Sequence, residues 1–414
     1  MSRVSRWLLI LLLAVPPAAR AQGGTPLGPE FRINTYTTST QILPAVATDA
    51  SGNFVVVWNS YGQDGSFAGV FGQRFGGSVP LGPEFRVNSY TPAYQNQASV
   101  AADSAGNFVV VWRSGPAYPF PGDVFGQRYA SDGTPLGPEF RINTFVTGDQ
   151  SSPDAAVDTS GNFVVVWDSF DGSYTGISGQ RFAFSGAPLG PEFRVNTYTT
   201  GYQSVPFVAA DSVGNFVVVW SGPRGPAGPG DVFGQRYASN GTPLGPEFRV
   251  NTYTTNDQRF PAVAADPAGN FVVVWGGEGQ GDSLGVFGQR FASSGGPVGP
   301  EFRVNTYTTR GEDFPSVATD AAGNFVVVWG GEGQGDSQGV FGQRYASDGT
   351  PDGPEFRINT YTMLVQHGPA VGADPAGDFV VTWYGYGQDG SYSGIFGQRF
   401  GRIVPVELMH FSVE

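Results

Sequence analysis

The sequence has 414 residues, a formal net charge of −13, no cysteine and no lysine. Such a chain repels nucleic acid and anionic lipid, and without cysteine it has neither a disulfide framework nor thiol chemistry. Its 62 glycines and 32 prolines recur at fixed places, which makes them turn punctuation and excludes a disordered low-complexity tract.

Arg3 and Arg6 precede the apolar run from Trp7 to Val15, and Ala19-Arg20-Ala21 supplies a small-residue cleavage site. Residues 1–21 therefore read as a secretory signal peptide, too short in its apolar part to span a bilayer. No later segment could cross a membrane as a helix. Residues 22–402 read as one repeat domain, and residues 403–414 as a strand-like tail.

From Gly52 onward one pattern dominates. Phe54-Val-Val-Val-Trp58 returns at Trp112, Trp167, Trp220, Trp275, Trp329 and, with Thr382 for the third valine, Trp383, 53 to 55 residues apart. Self-similarity at this period means a propeller, solenoid or array. Phe54, Val56 and Trp58 point to one face of an extended chain and Val55 and Val57 to the other, so this strand must be covered on both sides. Around it the unit divides into four strands. The first runs from Pro44 to Asp49, the second from Asn53 to Trp58, the third from Val70 to Phe75 and the fourth from Glu84 to Asn88. An Asp-x-x-Gly-Asn turn, a Gly-rich loop and a turn of the Ser131 to Pro138 type separate them. Glu84 and Arg86 are expected to guard the outer edge.

The chain opens with a lone fourth strand, Glu30 to Asn34, and closes its last unit with only three strands, from Pro369 to Phe400. Joining the two completes a seventh unit. The expected fold is all-β: a seven-bladed β-propeller of four-stranded blades, with the ring closed by the N-terminal strand. No atypical end repeat marks a solenoid.

The recurring Gly-Pro-Glu-Phe-Arg-Val-Asn-Thr, Phe-Val-Val-Val-Trp and Gly-Gln-Arg motifs of residues 25–400 resemble a repeat of large secreted bacterial proteins of the adhesin and repeats-in-toxin kind. The resemblance implies an extracellular or cell-surface setting and the company of calcium-binding modules. It implies no catalytic residue. The calcium-binding nonapeptide of that kind is nearly matched at residues 276–282 and 330–336, with the aspartate one residue late in both.

Alternating strand direction gathers the long, variable loops on one face, where binding residues usually sit. Asp64, Glu278, Asp282, Glu332, Asp336 and Asp389 are its candidate cation ligands, with calcium the candidate ion and no cofactor required. Tyr61, Tyr118, Phe120, Tyr174, Tyr384, Tyr386 and Tyr392 are its candidate recognition aromatics. The seven tryptophans read as structural. His367, read as a loop residue, and His410, in the tail, read as bystanders, so no catalytic residue is assigned. The chain reads as a secreted or cell-surface binding or scaffold module, monomeric, that recognises an extracellular glycan or protein. One alternative is a glycan-active hydrolase or lyase with its site at the central channel; another is a calcium-stabilised structural repeat. A symmetry-broken channel mouth lined by paired acids would favour the enzyme.

Overall fold

A computed structural model of the chain describes residues 25–116, 121–170, 174–223, 230–279, 282–308, 311, 313–333, 335–390 and 392–403, with only the backbone at 282, 283 and 313. The signal-like segment, nearly all of the tail, Tyr118 and Phe120 lie outside these residues. The described chain is all-β, without a helix.

In unit 1 the strand Asn53–Tyr61 lies between Gln41–Thr48 and Ala68–Gly76, antiparallel to both. Its two apolar faces serve two neighbours. Phe54, Val56 and Trp58 pack with Val380 and Ile395 of unit 7. Val55 and Val57 pack with Phe108, Val110 and Trp112 of unit 2. The same division recurs along the chain, so the core is a series of seams between consecutive units. Each of the seven tryptophans is 0% exposed. An indole N–H sealed in such a seam needs an acceptor. In five units the glutamine at the head of the first strand supplies it: Trp112, Trp167, Trp220, Trp275 and Trp383 donate to Gln95, Gln150, Gln203, Gln258 and Gln366 at 2.9 to 3.2 Å, while the indole N–H groups of Trp58 and Trp329 have no partner among the described residues.

The hairpin turn joining the first two strands is fixed by one carboxylate. Asp49 Oδ1 accepts the N–H groups of Ser51 and Asn53 at 2.8 and 2.9 Å, and Oδ2 accepts Asn53 Nδ2 at 2.8 Å. Gly52 takes the left-handed φ of +75° that the turn requires.

The outer strand is shorter than expected, only Phe85–Arg86. Side chains take over where the ladder stops: Asn88 Oδ1 accepts the Val70 N–H at 2.8 Å. Glu84 does not guard a free edge. Its carboxylate accepts the Thr35 N–H at 2.6 Å and the Thr35 hydroxyl at 2.8 Å, in the preceding unit. All seven equivalents do the same, the last pair being Thr360 on Glu30. Gln-Arg arginines reach the next unit's turn, as Arg181 Nη1 does to Ser239 O at 2.6 Å.

Five of the six sheets have four strands; the sixth has nine, because the parallel pair Ala68↔Tyr94 links units 1 and 2. One four-stranded sheet joins the chain's ends, with Phe31–Arg32 antiparallel to Ser393–Phe400. First strands pack side by side in chain order, and that of unit 7 lies against that of unit 1. At their turn end they surround a cavity of about 250 Å³, lined from Thr48 and Ala102 round to Thr319 and Ala373. The arrangement is propeller-like.

Candidate functional site

The opposite, long-loop end of the first strands is where the units cease to be alike. Every first strand described there carries a bulge, and the residue in it has a positive φ: Leu43 +55°, Gln97 +55°, Ser152 +50°, Val205 +55°, Phe260 +52°, Phe314 +52° and Gly368 +57°. A proline follows in six units, and its missing N–H suits a break in the ladder. Left-handed backbone is costly for Leu, Val and above all Phe, and such strain collects at functional sites.

In units 5 to 7 this end is aromatic. The rings of Phe260 and Phe314 stack at 4.7 Å, and His367 meets Phe314 edge-on at 5.0 Å. The Tyr384 hydroxyl lies 3.1 Å from His367 Nδ1, and Tyr386 meets Tyr384 at 6.0 Å. Arg259 lies over Phe260. Unit 7 has glycine in the bulge for a packing reason: a Cβ on Gly368 would stand 2.7 Å from the Tyr384 ring. Tyr384 thus takes the place that Phe260 and Phe314 fill in units 5 and 6. Phe314 remains 38% exposed.

In units 1 to 4 the bulge is not aromatic, holding Leu43, Gln97, Ser152 and Val205, and the position after the seam tryptophan is polar. The residue after each tryptophan is Asn59, Arg113, Asp168 and Ser221 in turn. Arg113 is buried and donates to Asp149 Oδ1 through Nε (3.0 Å) and Nη2 (2.8 Å). Asp168, 7% exposed, accepts the Val205 N–H at 2.9 Å. Asp154 replaces the small residues Ala45 and Ser99 of the earlier units. It accepts the Ser99 hydroxyl at 2.6 Å and the Val208 N–H at 2.9 Å, spanning three first strands. Burial pushes both carboxyls up, Asp154 to about 6 and Asp168 to about 7. A carboxyl kept protonated near neutrality can donate a proton to a leaving oxygen.

The expected site residues divide. Tyr384 and Tyr386 belong to this end. Tyr174 instead packs edge-on with Tyr202, and Tyr392 is exposed on its loop. The candidate cation ligands stay on separate loops. Asp64 caps its own turn at the Ser66 N–H, Glu278 accepts from Asn256, and Asp336 accepts from Gln338 and Asn359. Glu332 and Asp389 have partners too, and the Asp282 side chain lies outside the described residues. Among the described residues no group of three or more His, Asp or Glu side chains stands close enough to hold a metal ion. His367 is a correction: it lies in the strand Gln366–Ala373, not in a loop. Phe260, Phe314, Asp154, Asp168 and Arg113 were missed. Their signal was the first-strand columns that the repeat leaves free, the bulge column for Phe260 and Phe314 and the column two residues on for Asp154, together with the column after the tryptophan.

No family model and no curated protein matches the chain. Solved structures share the fold. A Dyadobacter fermentans protein of unknown function has a TM-score of 0.56 at 11% identity, covering 92% of this chain and 99% of its own. The Penicillium chrysogenum α-L-arabinanase complexed with arabinobiose scores 0.50 at 14% identity, covering 91% and 99%. Polysaccharide lyase Uly1 scores 0.51 at 9% identity, covering 86% and 89%. These likenesses correct the expectation of a binding or scaffold module: the fold is similar, over nearly its whole length, to glycan-active enzymes, and the long-loop end is asymmetric rather than uniform.

Proposed function

We propose that this chain is a glycan-active hydrolase or lyase with its site at the long-loop end of the first strands. The observation that carries the reading is the division of that end, with stacked rings in units 5 to 7 and Asp154, Asp168 and Arg113 in units 2 and 3. Catalysis needs a local constellation that departs from the repeat, and here the departures converge. Asp154 and Asp168 are the carboxyls to which the reading assigns proton transfer. The fold itself is proposed to be a seven-bladed propeller closed by the N-terminal strand. Support comes from the Phe31–Arg32 pairing, the packing of the unit 7 first strand on that of unit 1, and the Glu30–Thr360 clamp. The signal-like segment supports secretion.

The test is to incubate the protein with a panel of neutral and uronate-containing polysaccharides, reading new reducing ends and unsaturated products. Cleavage of at least one, slowed roughly a hundredfold or more in Asp168→Asn, is the expected result. Absence of cleavage across the panel would overturn the reading.

A further inference from the structure

We infer that the long-loop end binds a neutral glycan, its sugar rings laid on the arc of Phe260, Phe314 and Tyr384 and its hydroxyl groups turned to the polar seams of units 1 to 4. This rests on the glycan-active reading above and names the substrate class of the same site.

The first observation is the arc itself. Phe260 and Phe314 are held at φ +52° in a backbone that disfavours bulky side chains, and Phe314 remains substantially exposed. A fold that needed only packing would place glycine there, as unit 7 does at Gly368. The rings form a continuous row, with Phe260 stacked on Phe314 and His367 linking Phe314 to Tyr384.

The second observation lies in the polar seams. Asn59 is 1% exposed, yet neither Oδ1 nor Nδ2 has a hydrogen-bond partner among the described residues, and the Ser221 hydroxyl is in the same position. Both residues follow the seam tryptophan, as Arg113, Asp168 and Tyr384 do in their own units. Asn59 stands opposite Ile42, beside the bulge at Leu43. Leaving such groups unbonded is costly, and it marks a place for a ligand's donors and acceptors. An apolar platform facing a few convergent polar groups is the composition of a small-ligand site. A sugar ring, with C–H faces and a rim of hydroxyls, matches both halves.

Charge selects the neutral class. The chain carries −13, and of the two arginines placed at this end Arg113 is held by Asp149 and Arg259 lies over the Phe260 ring. An anionic chain would add repulsion beside Asp154 and Asp168. A neutral glycan also lacks the carboxyl group that acidifies the proton an elimination must remove. The same inference therefore selects hydrolysis: the glycosidic C–O bond breaks, the water's hydroxyl joins the sugar carbon, and one proton goes to the leaving oxygen.

Calorimetric titration of the folded chain with arabinotriose, xylotriose, cellotriose and trigalacturonate tests this. At least one neutral trisaccharide should bind, and trigalacturonate should bind roughly tenfold or more weakly than it. Phe314→Ala should lose roughly tenfold in affinity, Phe314→Trp should keep it, and Val213→Ser, at the opposite end of the first strands, should leave it unchanged. Equal or tighter binding of trigalacturonate, no binding of any neutral trisaccharide, or full affinity in folded Phe314→Ala would each overturn the inference. Binding that follows this pattern without bond cleavage would overturn the enzymatic reading alone. Cleavage that is indifferent to Phe314→Ala would overturn the inference alone.

Discussion

The two ends of the first strands obey different rules. At the turn end all seven units have the same aspartate in the same role, from Asp49 through Asp320 to Asp374, each accepting two backbone N–H groups at 2.8 to 3.0 Å. At the long-loop end, a few residues away on the same strands, the bulge holds Leu, Gln, Ser, Val, Phe, Phe and Gly. In a repeat protein every unit faces the same folding problem, so a position fixed by folding is repeated. A position that varies while keeping a costly backbone geometry answers to something else. The turn end is architecture; the long-loop end is where the chain's individuality is collected.

The largest stability effect of a single substitution should come from neither end but from the seams that hold both. Trp220→Ala is expected to cost about 3–5 kcal/mol, since it empties a sealed seam and strands Gln203, whose Oε1 accepts the indole N–H at 2.9 Å. Denaturant unfolding measures it. A cost under about 1 kcal/mol would mean that the seams are not the source of stability.

The two buried carboxyls together sharpen the contrast through pH. Asp154 and Asp168 titrate at about 6 and about 7 in the fold, against an ordinary value of 3.8. The fold therefore holds more protons than the unfolded chain between roughly pH 4 and pH 7, and stability should fall as pH rises through that window. A loss on the order of 6 kcal/mol is expected for the two groups together. Asp168→Asn should flatten the decline and raise stability at neutral pH. An unchanged slope in urea unfolding across that range would contradict the assignment.

At the turn end, Asp320→Ala removes the acceptor for the N–H groups of Ala322 and Asn324, and should cost about 1–2 kcal/mol. The smallest effect carries the opposite sign. Phe314→Gly relieves a left-handed φ and should gain up to about 1 kcal/mol in melting experiments. A cost comparable to that of Asp320→Ala would show that Phe314 is held for packing, and the two ends would no longer differ in kind.

The sequence carried the architecture well, because the Phe-Val-Val-Val-Trp strand is apolar on both faces and the Asp-x-x-Gly-Asn turn names its own geometry. The outer strand was overestimated because Asn88 continues the ladder through its side chain, which a hydrophobic pattern cannot reveal. Glu84 was placed at a free edge for a similar reason: its partner, Thr35, lies in the preceding unit. The site was the least legible part. Length and glycine content drew attention to the loops, where Asp64 and Asp336 cap local turns. Nothing in the residue types Leu43 or Phe314 announces a left-handed backbone. Asp154 lies inside an otherwise small-residue strand, visible only when the units are laid over one another column by column.

The most direct test of the central claim compares polysaccharide cleavage by the wild type, Asp168→Asn and Asp320→Ala, with folding of each verified by unfolding midpoint. The long-loop variant should stay folded and lose cleavage roughly a hundredfold or more, while the turn-end variant should lose stability and keep its rate. Full cleavage by Asp168→Asn, or loss of cleavage in a folded Asp320→Ala, would contradict the account.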